Sequence, residues 1–114
     1  MYLIPLKALS LNSAYRGRRF ITPELKAYKT AVVNLSPRLK IPEGRLQACY
    51  MFGVSSKQSD VDNLIKCFQD ALSEKYGFND KLIYKIIVEK QDVKKGAEFV
   101  GFSIESYQQG VACV

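Results

Sequence analysis

The segment from residue 61 to residue 76 constrains the fold of this chain more than any other. Its apolar side chains recur at helical spacing, at Val61, Leu64, Ile65, Phe68, Ala71, Leu72 and Tyr76. That spacing predicts an amphipathic helix whose apolar face must be covered. Ser59 can cap this helix at its start, and Gly77 is a typical helix end. At 114 residues the chain has room for one core, so we predict a single domain spanning residues 1–114.

Apolar and polar residues alternate in the segments around this helix. Residues 2–8, 45–54 and the stretch around Phe102 have the period of two that indicates half-buried strands. Residues 82–89 form an apolar, β-branched run that also predicts a strand. Thr22, followed by proline, is a good start for another helix, which should end near Ser36 and Pro37.

These elements predict an α+β domain in the order β-α-β-α-β-β. We expect a mixed sheet with two helices packed on it. Lys94, Lys95 and Gly96 form a turn signal, which predicts that the last two strands are joined as a hairpin.

The rarer residues exclude several kinds of chemistry. The chain has no histidine, which removes the usual general base and the usual zinc ligand. Its three cysteines, Cys49, Cys67 and Cys113, are far apart and odd in number, so we expect reduced thiols rather than disulfides or a zinc site. Any catalysis must therefore use carboxylates, lysine or a hard metal ion.

A formal charge of +6 favours a polyanionic partner. Tyr15, Arg16, Arg18 and Arg19 fall within five residues, so phosphate contact and base stacking are both plausible there. The alternative is an ordinary solvated loop of positive charge.

Acidic residues are concentrated in one region. Four of the five aspartates are Asp60, Asp62, Asp70 and Asp80. Converging carboxylates suit Mg²⁺ or Mn²⁺, and the chain after the helix is expected to bring Asp80 back towards the Asp60 end. Lys66 lies one turn beyond Asp62, where it could hold a phosphate or stabilise the transition state; the alternative is an ordinary salt bridge with a neighbouring acid. The alternative is a capping aspartate and a solvated polar face without chemistry.

The spacing of these residues resembles a known signature. The segment Asp60-Val61-Asp62-Asn63-Leu64-Ile65-Lys66, then Asp70-Ala71-Leu72 and a turn ending at Asp80, resembles the D-x-D-N-x-x-K-x-x-x-D-x-L signature of the RusA family of Holliday junction resolvases. The resemblance extends to the Asn- and Arg-containing segment near residues 11–16.

The resemblance implies a homodimer that binds four-way DNA junctions and cuts two strands symmetrically with Mg²⁺, for which Mn²⁺ substitutes. By this resemblance Asp60, Asp62 and Asp80 are catalytic metal ligands and Lys66 is the catalytic lysine. The supporting positions are Asn63 and Asp70. The final strands are candidates for the dimer interface.

The chain departs from the family where members often have arginines before the first catalytic aspartate. Lys57 is the only basic residue in that segment, so DNA contacts depend more on the loop from Arg16 to Arg19. Two alternatives stay open: a non-catalytic basic nucleic-acid binding module, and a nuclease acting on other branched DNA or on RNA.

The sequence also suggests where the protein works. It has no apolar run long enough for a membrane span and no leader typical of secretion. We therefore expect a cytoplasmic protein without a membrane partner, in a bacterial or phage-infected cell.

Overall fold

The computed structural model describes residues 1–16 and 20–108. Its elements are strand β1 (Tyr2–Ile4), helix α1 (Leu11–Ala14), strands β2 (Tyr15–Arg16) and β3 (Phe20–Ile21), helix α2 (Pro23–Leu35), strand β4 (Leu46–Val54), helix α3 (Val61–Tyr76), a 3₁₀ turn (Asp80–Leu82), and strands β5 (Ile83–Asp92) and β6 (Phe99–Ser106). None of the helices in these two ranges combines the length and apolar character that a membrane span requires.

Four strands form a mixed sheet in the order β1-β6-β4-β5. Strand β4 pairs parallel with β5 and antiparallel with β6, which in turn pairs antiparallel with β1. The predicted α+β class, the mixed sheet and the order of the main elements are therefore confirmed. Strand β4, helix α3 and strand β5 together form a βαβ unit, because β4 and β5 run in the same direction.

Helix α3 lies on the sheet through its predicted apolar face. The Phe68 ring meets the rings of Tyr50, Phe52 and Phe102 edge-on, at centroid distances of 5.5, 5.7 and 5.9 Å. Truncating such a buried ring to alanine costs roughly 3–5 kcal/mol. Gly77 ends the helix with a φ of 71°, a conformation that glycine adopts without steric cost.

Helix α2 begins and ends where the sequence predicts. The Thr22 hydroxyl accepts a hydrogen bond from the Leu25 amide at 3.3 Å, and Pro23 occupies the first turn. The helix packs alongside α3, where the Lys29 ammonium donates to the Glu74 carboxylate at 3.0 Å. The two helices thus share one core with the sheet.

The amino-terminal region contains more structure than the sequence predicts. The first strand covers residues 2–4 only, and α1 and the β2–β3 hairpin occupy what was expected to be a loop. The Ser10 side chain caps α1, and the Thr22 hydroxyl donates to the Ser13 and Ala14 carbonyls at 2.8 and 3.1 Å. This region is held by hydrogen bonds from side chains to the backbone. Such bonds leave no periodic pattern of apolar residues in the sequence, so the alternation of apolar residues did not predict these elements.

Two further expectations are wrong. Strands β5 and β6 do not form a hairpin, because they pair with opposite edges of β4. The turn at Gly96 exists, with a φ of 94°, but it leads the chain past the end of β4. Ser59, expected to cap α3, is replaced in that position by Asp60, whose side chain makes no capping hydrogen bond.

Candidate functional site

The polar flank of α3 consists of Asp60, Asp62, Lys66 and Asp70, and we call it the acidic flank. Its residues from Asp62 onward recur every four positions, so they project from one side of the helix. The buried residues Leu64 and Phe68 lie towards the sheet. Amphipathic periodicity thus places the candidate catalytic groups at the protein surface.

At its amino-terminal end the acidic flank is open. Asp60 and Asp62 are both exposed, and neither carboxylate has a hydrogen bond or an ion pair with a described residue. Both lie at the end of α3 where unsatisfied backbone N–H groups favour negative charge. Two free carboxylates, two residues apart, are therefore available to a cation from solution.

Farther along, the acidic flank contains an ion pair. The Lys66 ammonium donates to the Asp70 carboxylate at 3.0 Å. This hydrogen bond and the charge of Asp70 raise the pKa of Lys66, and the charge of Asp80 adds to the rise. Lys66 therefore remains a cation throughout the physiological pH range.

Asp80 approaches the middle of this flank. The chain turns back after α3, where the Ser73 hydroxyl donates to the Phe78 carbonyl at 2.6 Å. Asp80 is half-buried, and its charge raises the pKa of Lys66 and, after the larger effect of burial, the pKa of Tyr50. Asp80 and Lys66 thus belong to one electrostatic environment.

The three proposed metal ligands are not gathered at one point. Within residues 1–16 and 20–108, no group of three or more acidic or cysteine side chains is placed to hold a metal ion. Asp60 precedes a helix of sixteen residues, about 24 Å long, and Asp80 follows it. The expectation that the returning chain brings Asp80 to the Asp60 end is not met.

The parallel pairing of β4 and β5 explains this separation. Ile83, three residues after Asp80, pairs with Leu46 at the start of β4, whereas Asp92 pairs with Val54 at its end. The strand does return to the start of α3, but it arrives there with residues 90–92. The Lys90 ammonium donates to the Ser59 carbonyl at 2.9 Å, next to Asp60.

The paired strands β2 and β3 carry exposed aromatic residues close to the acidic flank. Phe20 is 75% exposed and Tyr15 37% exposed. Tyr15 directly follows α1, which packs against α3, and it contributes slightly to the raised pKa of Lys66. Lys57 is exposed in the loop that precedes α3. Aromatic and basic groups thus border the acidic flank at the hairpin and at the start of the helix.

Three predicted DNA-binding residues fall partly or wholly outside the described residues. Arg18 and Arg19 lie there completely, and of Arg16 only the backbone in β2 is described. Asn63 lies in the first turn of α3, where its backbone N–H donates to the Asp60 carbonyl at 3.2 Å.

A family model supplies the identity that this surface suggests. The RusA endodeoxyribonuclease model matches residues 8–101, which is more than four fifths of the chain and includes both the hairpin and the acidic flank. The chain belongs to the RusA family. Members are endonucleases that resolve Holliday junctions. A search of curated proteins finds no match to this chain.

Two polar contacts of this RusA chain were missed at the sequence level. Lys90 fixes the start of α3 from β5, and the Tyr50 hydroxyl donates to the Gln69 amide oxygen at 2.8 Å. Both contacts join residues far apart in sequence. In the sequence, the signal was a polar group on an otherwise apolar strand face. Tyr50 in β4 and Lys90 in β5 both lie on the face of the sheet that is turned towards α3.

The cysteines behave as ordinary thiols in the described part of the chain. Cys67 is buried in the core and Cys49 is half-buried, and both are free. Burial is the main cause that raises the pKa of Cys67, which keeps its thiol protonated and unreactive. Cys113 lies outside the described residues.

Proposed function

We propose that this RusA-family chain is a Mg²⁺-dependent endonuclease that acts as a homodimer and resolves four-way DNA junctions by paired symmetric nicks. Mn²⁺ would substitute for Mg²⁺. One observation carries the proposal: Asp60 and Asp62 are exposed at the start of α3 and have no partner within residues 1–16 and 20–108, and they share a flank with a lysine that is held cationic. The substrate would be met in the cytoplasm of a bacterial or phage-infected cell.

The acidic flank offers carboxylate oxygens, which are the type of ligand that a hard cation binds. Carboxylate oxygens are the ligands that Mg²⁺ and Mn²⁺ take, and such ions retain several waters. In this proposal Asp60 and Asp62 would hold the ion. Asp80 is the third carboxylate of the family signature, and within one copy of the chain it lies away from the Asp60 end. When bound, the ion lowers the pKa of water and neutralises charge on the phosphate.

Lys66 has a separate part in the proposal. Its side chain is 55% exposed, and its ammonium uses one donor on Asp70, so donors are left for a phosphate oxygen. A cation at this position stabilises negative charge that develops on the phosphate during in-line attack by water. Asp70 orients Lys66 through their hydrogen bond, and Asn63 supports the first turn of the helix.

DNA binding would use the border of the acidic flank. Tyr15 and Phe20 offer exposed aromatic faces on which unpaired bases at a branch point can stack. Arg16, Arg18, Arg19 and Lys57 would contact phosphates, which gives affinity without sequence information.

One observation favours a second candidate, a basic module that binds branched nucleic acid without cutting it. Asp60, Asp62 and Asp80 do not form a group within the described residues, and a lone pair of carboxylates at a helix start is consistent with simple solvation. A nuclease acting on other branched DNA or on RNA shares every feature of the leading proposal except its substrate.

Cleavage assays with purified protein test the proposal. A labelled four-way junction should be nicked at symmetric positions in Mg²⁺ or Mn²⁺ and left intact in EDTA, and the products should carry 5′-phosphates that DNA ligase can seal. Flap DNA, duplex DNA and structured RNA are assayed in parallel to rank substrates. Binding of the junction without cleavage in either metal would favour the non-catalytic module.

A further inference from the structure

Strand β5 forms an unusually open edge of the sheet. It is ten residues long and pairs with β4 on one side only within the described chain. Ile86 is 41% exposed and Ile87 50% exposed. Long edge strands with exposed apolar residues are templates for pairing with another chain. The opposite edge, β1, has only three residues.

The pairing with β4 fixes the direction of each β5 side chain. Ala48 and Tyr50, which are buried beneath the helices, pair with Ile86 and Val88. Residues directly paired in a sheet share a face, and successive residues alternate. Ile86 and Val88 therefore face the helix side, and Lys85, Ile87 and Glu89 face the opposite side. The irregularity in the ladder lies before Lys85.

Self-pairing about a two-fold axis allows few registers. In an antiparallel pair the axis stands perpendicular to the sheet, so each residue faces the same side in both copies. The axis must then pass midway between one residue and its own counterpart. With the axis at Ile87, Lys85 lies opposite Glu89 of the second copy, and Ile86 lies opposite its Val88. Both contacts occur twice, and Ile87 meets its own counterpart.

The neighbouring registers are poorer. An axis at Val88 places Ile87 opposite Glu89 and Ile86 opposite Lys90. An axis at Ile86 places Lys85 opposite Ile87. Opposite charges and apolar pairs across strands are stabilising, whereas these mixed contacts leave a charged group beside an apolar one.

We propose that β5 pairs antiparallel with β5 of a second copy of this chain. The two-fold axis passes between the two Ile87 residues, which lie opposite each other. This inference rests on the proposed homodimeric function and specifies its interface. The joined sheet has eight strands, and both copies of α3 lie on the same face of it. Two acidic flanks on one face match a substrate that needs two symmetric nicks.

The antiparallel arrangement also relates the two sites. Lys85, where the regular ladder begins after the Asp80 turn, lies opposite Glu89 of the second copy, next to the Lys90 whose ammonium donates to the Ser59 carbonyl. The Asp80 turn of each copy therefore lies at the same end of the joint as Asp60 of the other. In this dimer the two acidic flanks lie on the same face of the joined sheet, one on each side of the axis.

Charge reversal tests the register. Lys85→Glu places a new carboxylate opposite Glu89 twice per dimer, and Glu89→Lys places two lysine pairs in the same positions. Either variant should weaken self-association by roughly tenfold or more. The double variant Lys85→Glu/Glu89→Lys recreates the opposite charges and should restore it. Lys26→Glu, on the exposed surface of α2, makes the same charge change away from β5 and serves as the control.

Sedimentation equilibrium of the full chain without DNA measures the association, and circular dichroism checks that each variant is folded. The two single variants are independent, so misfolding of one leaves the other informative. A monomeric wild type, single variants that associate like wild type, or a double variant that stays dissociated would each overturn the proposal. This experiment measures self-association and not cleavage. Its outcome can therefore be interpreted even if the protein shows no nuclease activity.

Discussion

The two halves of the acidic flank differ in how their charges are compensated. At the amino-terminal half, Asp60 and Asp62 are exposed and unpaired among the described residues. In the second half, Lys66 and Asp70 neutralise each other at 3.0 Å, and Asp80 adds a further negative charge nearby. The helix thus presents one end ready for a cation and one segment already balanced within the protein.

The difference separates residues that the sequence pattern treats alike. Asp62 and Asp70 occupy the same side of α3, two turns apart, and each is an aspartate of the signature. Asp62 has no partner in the part of the chain that the structure describes, whereas Asp70 is paired with Lys66. We therefore expect substitutions in the first half to abolish chemistry and substitutions in the second half to have graded effects.

The largest effect is expected for Asp62→Asn. If Asp62 holds the metal ion as proposed, its loss removes several kcal/mol of transition-state stabilisation, so the cleavage rate should fall by roughly a thousandfold. Junction binding should persist or tighten, because a negative charge near the phosphates is removed. Single-turnover cleavage and a gel-shift assay in Ca²⁺ measure the two quantities. Full cleavage activity in this variant would mean that the open end of the flank has no catalytic part.

Asp80→Asn should reduce cleavage by about a hundredfold if its carboxylate completes the site. Asp92→Asn is the matched control, because Asp92 is an exposed aspartate at the end of β5, near the start of α3. It should cleave within about twofold of wild type. If Asp92→Asn lost more activity than Asp80→Asn, then Asp92 rather than Asp80 would be the third carboxylate of the site.

Lys66→Gln keeps the length and polarity of the side chain but removes its charge. We expect cleavage to fall by about thirtyfold with little change in junction affinity, because the ammonium acts on charge that develops in the transition state. Lys75→Gln, a half-exposed lysine in the last turn of the same helix, provides the control. Equal losses of affinity and rate would instead indicate simple phosphate binding by Lys66.

The smallest effect is expected for Asp70→Asn. A partly exposed ion pair contributes only about 0.5 kcal/mol, so urea unfolding should shift by that amount and cleavage should fall less than about threefold. Asp70 raises the pKa of Lys66, so the stabilisation is present at neutral pH and is lost as rising pH deprotonates Lys66. A difference between variant and wild type that grows with alkaline pH would contradict this origin.

Hydrophobic periodicity predicted the main elements correctly. The stripe from Val61 to Tyr76 and the alternation from Leu46 to Val54 each reflect burial on one face, and burial is what the sequence pattern records. The helix start at Thr22 was equally accessible, because a capping hydroxyl and a proline act within one turn. Local physics was sufficient for these elements.

The arrangement of strands was not accessible in the same way. Nothing in Lys94, Lys95 and Gly96 tells a hairpin from a connection that passes over β4, because both use the same turn. The position of Asp80 depends on this topology, since a parallel β5 carries Asp92 rather than Asp80 to the Asp60 end. Signature spacing identified the candidate residues, but their distances in space depend on strand pairing.

The central position of β4 has a consequence for how the protein forms. Both of its neighbours, β5 and β6, follow it in sequence, so during synthesis β4 and α3 leave the ribosome before either strand that flanks β4 exists. A nascent chain that ends before residue 83 has the complete acidic flank but no β5 to fix Ser59. Non-local pairing of this kind is slow to form. Nuclease competence should therefore arise only after translation of β5 and β6, when the last strands close around β4.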